Sequence, residues 1–263
     1  MRSKAALLAL LAAGCGGRLA RPEAAVPLAY RDAPGQVRRW RVEDVLRGKI
    51  ALGGMAQLVV VTLRGTVTET VEAVRPDGWT RLRVRFAFEP PDFNGLPMPD
   101  SGEPREAVVR FLRSPSGETR SADGERATGD ALAWAGRILG GVAPALPPAA
   151  VRPGESWSAA QALPLAGGSL AGTSRASLAG FESAGGRRCA VIAEEGDLSL
   201  AAPPPGGAVT AFRLTYAGRS RFDPAGGRLV DAARQGTLRL TARRGRTPVE
   251  ALVRFASTLT PAP

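Results

Sequence analysis

The chain has 263 residues, is 44% hydrophobic and carries a formal charge of +11, so it is long enough for one large or two small domains and too apolar for disorder throughout. It contains no histidine, which excludes Ser-His-Asp and Cys-His catalysis, His-ligated zinc and histidine-based pH switching. Thirty-two glycines and 22 prolines favour many turns over long helices.

The N-terminus reads as an export signal. Arg2 and Lys4 form a positive start, residues 5–13 (AALLALLAA) a short apolar core, and Gly14 precedes Cys15. The apolar run is too short to span a bilayer, which takes about 20 residues. Leu11-Ala12-Ala13-Gly14-Cys15 resembles the bacterial lipobox, with Ala12 where that family usually has Leu. The resemblance implies cleavage before Cys15, a diacylglycerol thioether on its sulfur and stable anchoring of residues 15–29 as a tether. An ordinary secretory signal with a nearby cysteine is the alternative. Gly16 after the cysteine, in place of the Asp that often retains such proteins in an inner membrane, points to the outer membrane. Removing residues 1–14 takes away Arg2 and Lys4, and the charge stays strongly positive. That charge favours anionic partners such as lipid headgroups or acidic glycans. An exported chain leaves no place for nucleic acid, and the aromatic residues are too few and too little interleaved with bases for an RNA-binding sheet.

Strand signals follow. Residues 57–64 and 66–74 are β-branched, and in 79–88 (WTRLRVRFAF) Leu82, Val84, Phe86 and Phe88 alternate with arginines. Pro76-Asp77-Gly78 forms the turn between them. Further strands are expected at 107–112, 174–181, 187–194, 209–222, 228–233, 237–242 and 248–256. Short strands separated by glycine turns imply antiparallel sheets. Residues 128–142 break the pattern: Leu132, Ala135, Ile138 and Leu139 have helical spacing, Thr128 or Asp130 can cap the start and Gly140-Gly141 can end it. One amphipathic helix packed on a sheet is therefore expected.

The order of motifs repeats. Pro34-Gly35-Gln36 leads to Trp40, and Pro153-Gly154-Glu155 to Trp157. Gly65-Thr66 leads to Val74 and Gly78, and Gly172-Thr173 to Phe181 and Gly185. Arg110-Phe111 with Pro115 and Gly117 is matched by Arg221-Phe222 with Pro224 and Gly227. The fold expected is mainly β: two related antiparallel modules, as curved sheets or a half-barrel, with the helix between or against them. Their bounds are 30–127 and 154–257, with the connector at 128–153 and a tail at 258–263. The Pro-Gly entries, with Gly218 to Asp223 and Gly227-Arg228-Leu229, resemble uncharacterised bacterial exported β-rich proteins, often lipoproteins. By fold analogy such sheets are similar to envelope lipoprotein carriers, which hold acyl chains in a half-barrel.

No catalytic set emerges. Cys189, in a strand-like run, reads as a small core residue. Glu194-Glu195-Gly196-Asp197 is the densest acidic cluster and reads as a solvated turn; a glycosidase needs two carboxylates across a cleft. Asp92, Asp100 and Glu103 lie in a Pro-rich loop. Gly-x-Ser-x-Gly, Ser-x-x-Lys and P-loop patterns are absent. The expectation is a membrane-anchored, non-enzymatic envelope lipoprotein facing the periplasm, with no cofactor. It would act as a scaffold or a binder of a lipid, glycan or other envelope protein; a carboxylate-based glycan hydrolase is the alternative.

Overall fold

The computed structural model describes residues 24–97, 106–121, 144–165, 168–202 and 209–263. These form thirteen strands of one antiparallel sheet. The first half supplies β1 (Val37–Leu52), β2 (Met55–Val74), β3 (Thr80–Phe88), the short pair β4 (Asp92–Phe93) and β5 (Leu96–Pro97), β6 (Glu106–Arg113) and β7 (Thr119–Ser121). The second supplies β8 (Ser156–Leu165), β9 (Gly168–Ala184), β10 (Arg187–Ala202), β11 (Val209–Asp223), β12 (Arg228–Arg244) and β13 (Thr247–Pro261). The order across the sheet is β7-β6-β3-β2-β1-β13-β12-β11-β10-β9-β8. The sheet is not closed, and β7 and β8 are its two edges. No helix occurs among the described residues; the helix expected over 128–142 lies outside them.

The two halves run through equivalent steps. Gly35 and Gly154 both have a positive φ that a residue with a Cβ adopts only under strain. At each, the same pair of bonds ties the entry turn to the second strand. The Gly35 N–H donates to the Val71 carbonyl and the Val71 N–H to that of Gln36; the Gly154 N–H donates to Leu178 and the Leu178 N–H to Glu155. Among the described residues β13 has no counterpart in the first half. It lies between β1 and β12 and joins the halves into one sheet.

Alternation along the strands puts one face inside. Trp40, Val42, Val67, Val71, Leu82, Val84, Phe86 and Phe88 form one core cluster with Ala232 and Leu259. Leu178, Ala190, Ile192 and Phe222 form a second with Leu28, Tyr30, Leu146 and Val151. The second cluster draws in the segments that precede β1 and β8. Val26 and Val151 bridge each other, the Tyr30 N–H donates to the Pro115 carbonyl and the Arg31 N–H to that of Gly227. Residues 26–29, assigned from sequence to the tether, are thus held against the sheet. The Leu146 N–H and the Trp157 indole fix the other segment, bonding the Ser116 and Ala145 carbonyls. These two segments occupy the inner face at the end of the turns near Pro115 and Gly227.

Candidate functional site

Cys15 lies outside the described residues. The other residues of interest fall into two places, one buried and one open.

The buried place is a pair of charge clusters on the inner face. Arg38 from β1 and Arg113 from β6 both reach Glu69 on β2, with Nη1 to Oε1 at 2.7 Å and Nη1 to Oε2 at 2.8 Å. Both also reach Asp32, at 2.8 and 3.0 Å. All four side chains are almost fully shielded. Burial alone would raise the Asp32 pKa, but the Arg113 charge and hydrogen bond, with those of Arg38, hold it below the usual carboxylate range. The Arg113 guanidinium also stacks on Tyr30, 4.2 Å from the ring centroid, and Tyr30 meets Phe222 edge-on. Burial raises the Tyr30 phenol well above its ordinary value.

The second cluster follows the register. Glu194, Gly218, Arg234, Ser257 and Asp44 face one another in turn across β10, β11, β12, β13 and β1. Arg234 reaches over Gly218 to Glu194, 3.1 Å from its Oε2, and the Tyr216 hydroxyl donates to Oε1 at 2.8 Å. Only glycine fits beneath that crossing, because a Cβ on residue 218 would lie 2.7 Å from Arg234 Cγ. Asp44, fully buried at the end of the row, faces no guanidinium across either strand pair. Burial pushes its carboxyl up to about 7, with Ser257 opposing and Glu43 adding to the rise.

The open place is a groove of about 530 Å³ on the outer face of β9 to β12, lined by Thr173, Arg175, Glu195, Asp197, Thr215 and Gln235 among others. It holds the acidic cluster read from sequence as a turn. The cluster is instead inside β10, where alternation sends Glu194 into the core and leaves Glu195 and Asp197 outside. Asp197 is tied to Arg213, with Oδ1 3.0 Å from Nε and Oδ2 2.6 Å from Nη2, and that hydrogen bonding lowers its pKa. Asp92 on β4 pairs with Arg64 at 3.3 Å, whereas Asp100 and Glu103 lie outside the described residues. Cys189 is fully buried and its thiol is raised, first by burial. Among the described residues no group of three or more acidic or cysteine side chains is placed to hold a metal ion.

The buried clusters escaped the sequence reading because their members are far apart in the chain. The signal that could have found them is parity: Glu69 is in phase with Val67 and Val71, and Asp44 with Trp40 and Val42.

No family model and no curated protein matches the chain. Among solved structures it is similar to DynF from the dynemicin biosynthesis pathway of Micromonospora chersina, with 7% identity over 90% of this chain and 89% of that one. The TM-score of that likeness is 0.22, too low to bear on fold or activity.

Proposed function

We propose that this is an exported envelope protein, anchored to a membrane through a lipid on Cys15, that works as a non-enzymatic scaffold or binder of an amphipathic or anionic envelope molecule. The observation that favours binding at the outer surface is the occupation of the inner face. Segments 26–31 and 144–151, with two buried charge clusters, fill space that an acyl-chain carrier would leave open. The outer groove offers Arg175, Thr173, Thr215 and Gln235 as donors to a polar or anionic group. Intact mass of the membrane-extracted chain beside Cys15→Ala tests the anchor, and unprocessed or unacylated wild type overturns it. Native mass spectrometry tests the binder: a co-purifying species is expected in wild type and absent from Arg175→Glu. No adduct, or the same adduct in both, overturns the groove as the binding surface.

One observation favours a second reading. Glu195 and Asp197 line the same groove, on one face of one strand and about 7 Å apart along it. With Asp197 held ionised by Arg213 and Glu195 beside it in the groove, a glycan hydrolase working through this carboxylate pair follows. It predicts release of reducing ends from peptidoglycan by wild type but not by Glu195→Gln.

A further inference from the structure

The strongest unassigned surface lies at the end opposite the Pro115 and Gly227 turns, where two hairpins end side by side. One is β1–β2, turning at Gly53-Gly54; the other is β12–β13, turning at Gly245-Arg246. The Gly53 N–H donates to the Pro248 carbonyl and links the two tips. The β1–β2 tip exposes large apolar side chains: Met55 is 78% and Leu58 76% accessible. Leu252 joins Leu58 on the outer face, since Leu58, Lys49, Leu252 and Arg239 are consecutive partners across β2, β1, β13 and β12. The next such row is Val60, Arg47, Arg254 and Thr237. Arg243 and Arg246 flank the second tip. These six basic side chains are exposed, and none is in an ion pair among the described residues; Glu250 is the acidic residue at this end of the face, and Glu43 and Asp92, further along it, are paired with Arg64.

Six positive charges against one at this end of the face, with Leu58 and Leu252 among them and Met55 exposed at the tip, complement an anionic lipid surface in two ways. Arginine and lysine attract headgroups while their stems and the leucines enter the interface. A soluble polyanion would use the charges and leave Met55 and Leu58 in water. The charges come from β1, β12, β13 and the turn between the last two, so the register, not the local sequence, gathers them. We propose that these two hairpin tips dock the folded protein on an anionic bilayer. The inference shares the membrane with the function proposed above but does not rest on lipidation, and the full chain carrying Cys15→Ala separates the two.

The test places an environment-sensitive fluorophore at Leu58→Cys or, at the opposite end, at Glu118→Cys, in that background. Cys189 is buried and stays unlabelled. With phosphatidylcholine vesicles containing phosphatidylglycerol, the probe at 58 shifts to the blue and the probe at 118 does not. High salt removes the shift. Arg243→Glu with Arg246→Glu weakens vesicle affinity roughly ten-fold or more. No shift at 58, an equal shift at both positions, or a shift on pure phosphatidylcholine that charge reversal leaves unchanged would each overturn the proposal. So would quenching by soluble polyglutamate in place of vesicles, which assigns the patch to a polyanion.

Discussion

Glu69→Gln isolates the energetic role of the larger buried cluster. In the wild type, Glu69 and Asp32 balance Arg38 and Arg113, so the shielded group carries no net charge. The substitution keeps the volume and removes one charge, leaving two buried guanidiniums on one carboxylate. Breaking a buried pair by removing one partner costs about 3–5 kcal/mol, a large share of a typical folding stability of about 5–15 kcal/mol. For a chain of this size each kcal/mol moves Tm by about 2–4 °C, so a fall of roughly 6–20 °C follows. Arg85→Gln is the matched control. It breaks a two-bonded arginine–carboxylate pair at the surface, with Nε 3.2 Å and Nη2 2.6 Å from Glu106 oxygens. Those side chains are 53% and 57% accessible, and an exposed pair is worth about 0–1 kcal/mol. Both variants would be measured by urea unfolding and by scanning calorimetry. Equal effects from the two, or a loss below about 1 kcal/mol in Glu69→Gln, would refute the assignment of Glu69 as the anchor of a desolvated network.

Gly218→Ala pushes Arg234 off Glu194 and costs about 1–3 kcal/mol in urea unfolding, and the penalty shrinks in an Arg234→Ala background, which lacks the Cγ and Cδ that a Cβ on residue 218 would meet. Asp44 makes stability depend on pH in an unusual direction. Its folded pKa of about 7 exceeds its unfolded value of 3.8, so the native state binds the extra proton and stability falls as pH rises from about 4 to about 7. Asp44→Asn removes that decline, and chemical denaturation across this range measures it; Asp32, whose folded pKa is lowered, acts oppositely and its contribution is lost only as pH falls below its unfolded value. In the Cys15→Ala chain, Cys189 stays unreactive towards a thiol reagent until denaturant is added, because burial both covers the sulfur and disfavours the thiolate.

Alternation found most strands, and its failures have physical causes. Of the long strands, β1 and β8 were missed, as were the short β4, β5 and β7. In β1, the inward positions 38 and 44 are Arg and Asp, so the apolar period is interrupted where the buried clusters sit. β8 is rich in Ser and Ala, carries Pro164 and forms a sheet edge, where a missing N–H is tolerated. Residues 57–64 and 66–74 are one strand, as are 228–233 and 237–242, because Gly65 and Gly236 are not turns. Each lies under the aromatic ring of its cross-strand partner, Phe88 or Phe255, and a Cβ there would meet the ring. The acidic run at 194–197 was read as a turn because charge density resembles solvent exposure. Strand parity instead sends Glu194 inward, in phase with Ile192 and Leu198, where it meets Tyr216 and Arg234.

The place of β13 has a consequence for the order of assembly. The hairpins of each half form from neighbouring residues, but β1 finds its second partner only in residues 247–261, pairing Trp40 with Pro261 and Leu52 with Val249. That closure spans most of the chain, so it is the slow, late step of folding. Until it happens, β1 and β12 each present a long row of unsatisfied backbone groups. A nascent or truncated chain that lacks those fifteen residues therefore carries two sticky strands, each a template for pairing with another copy.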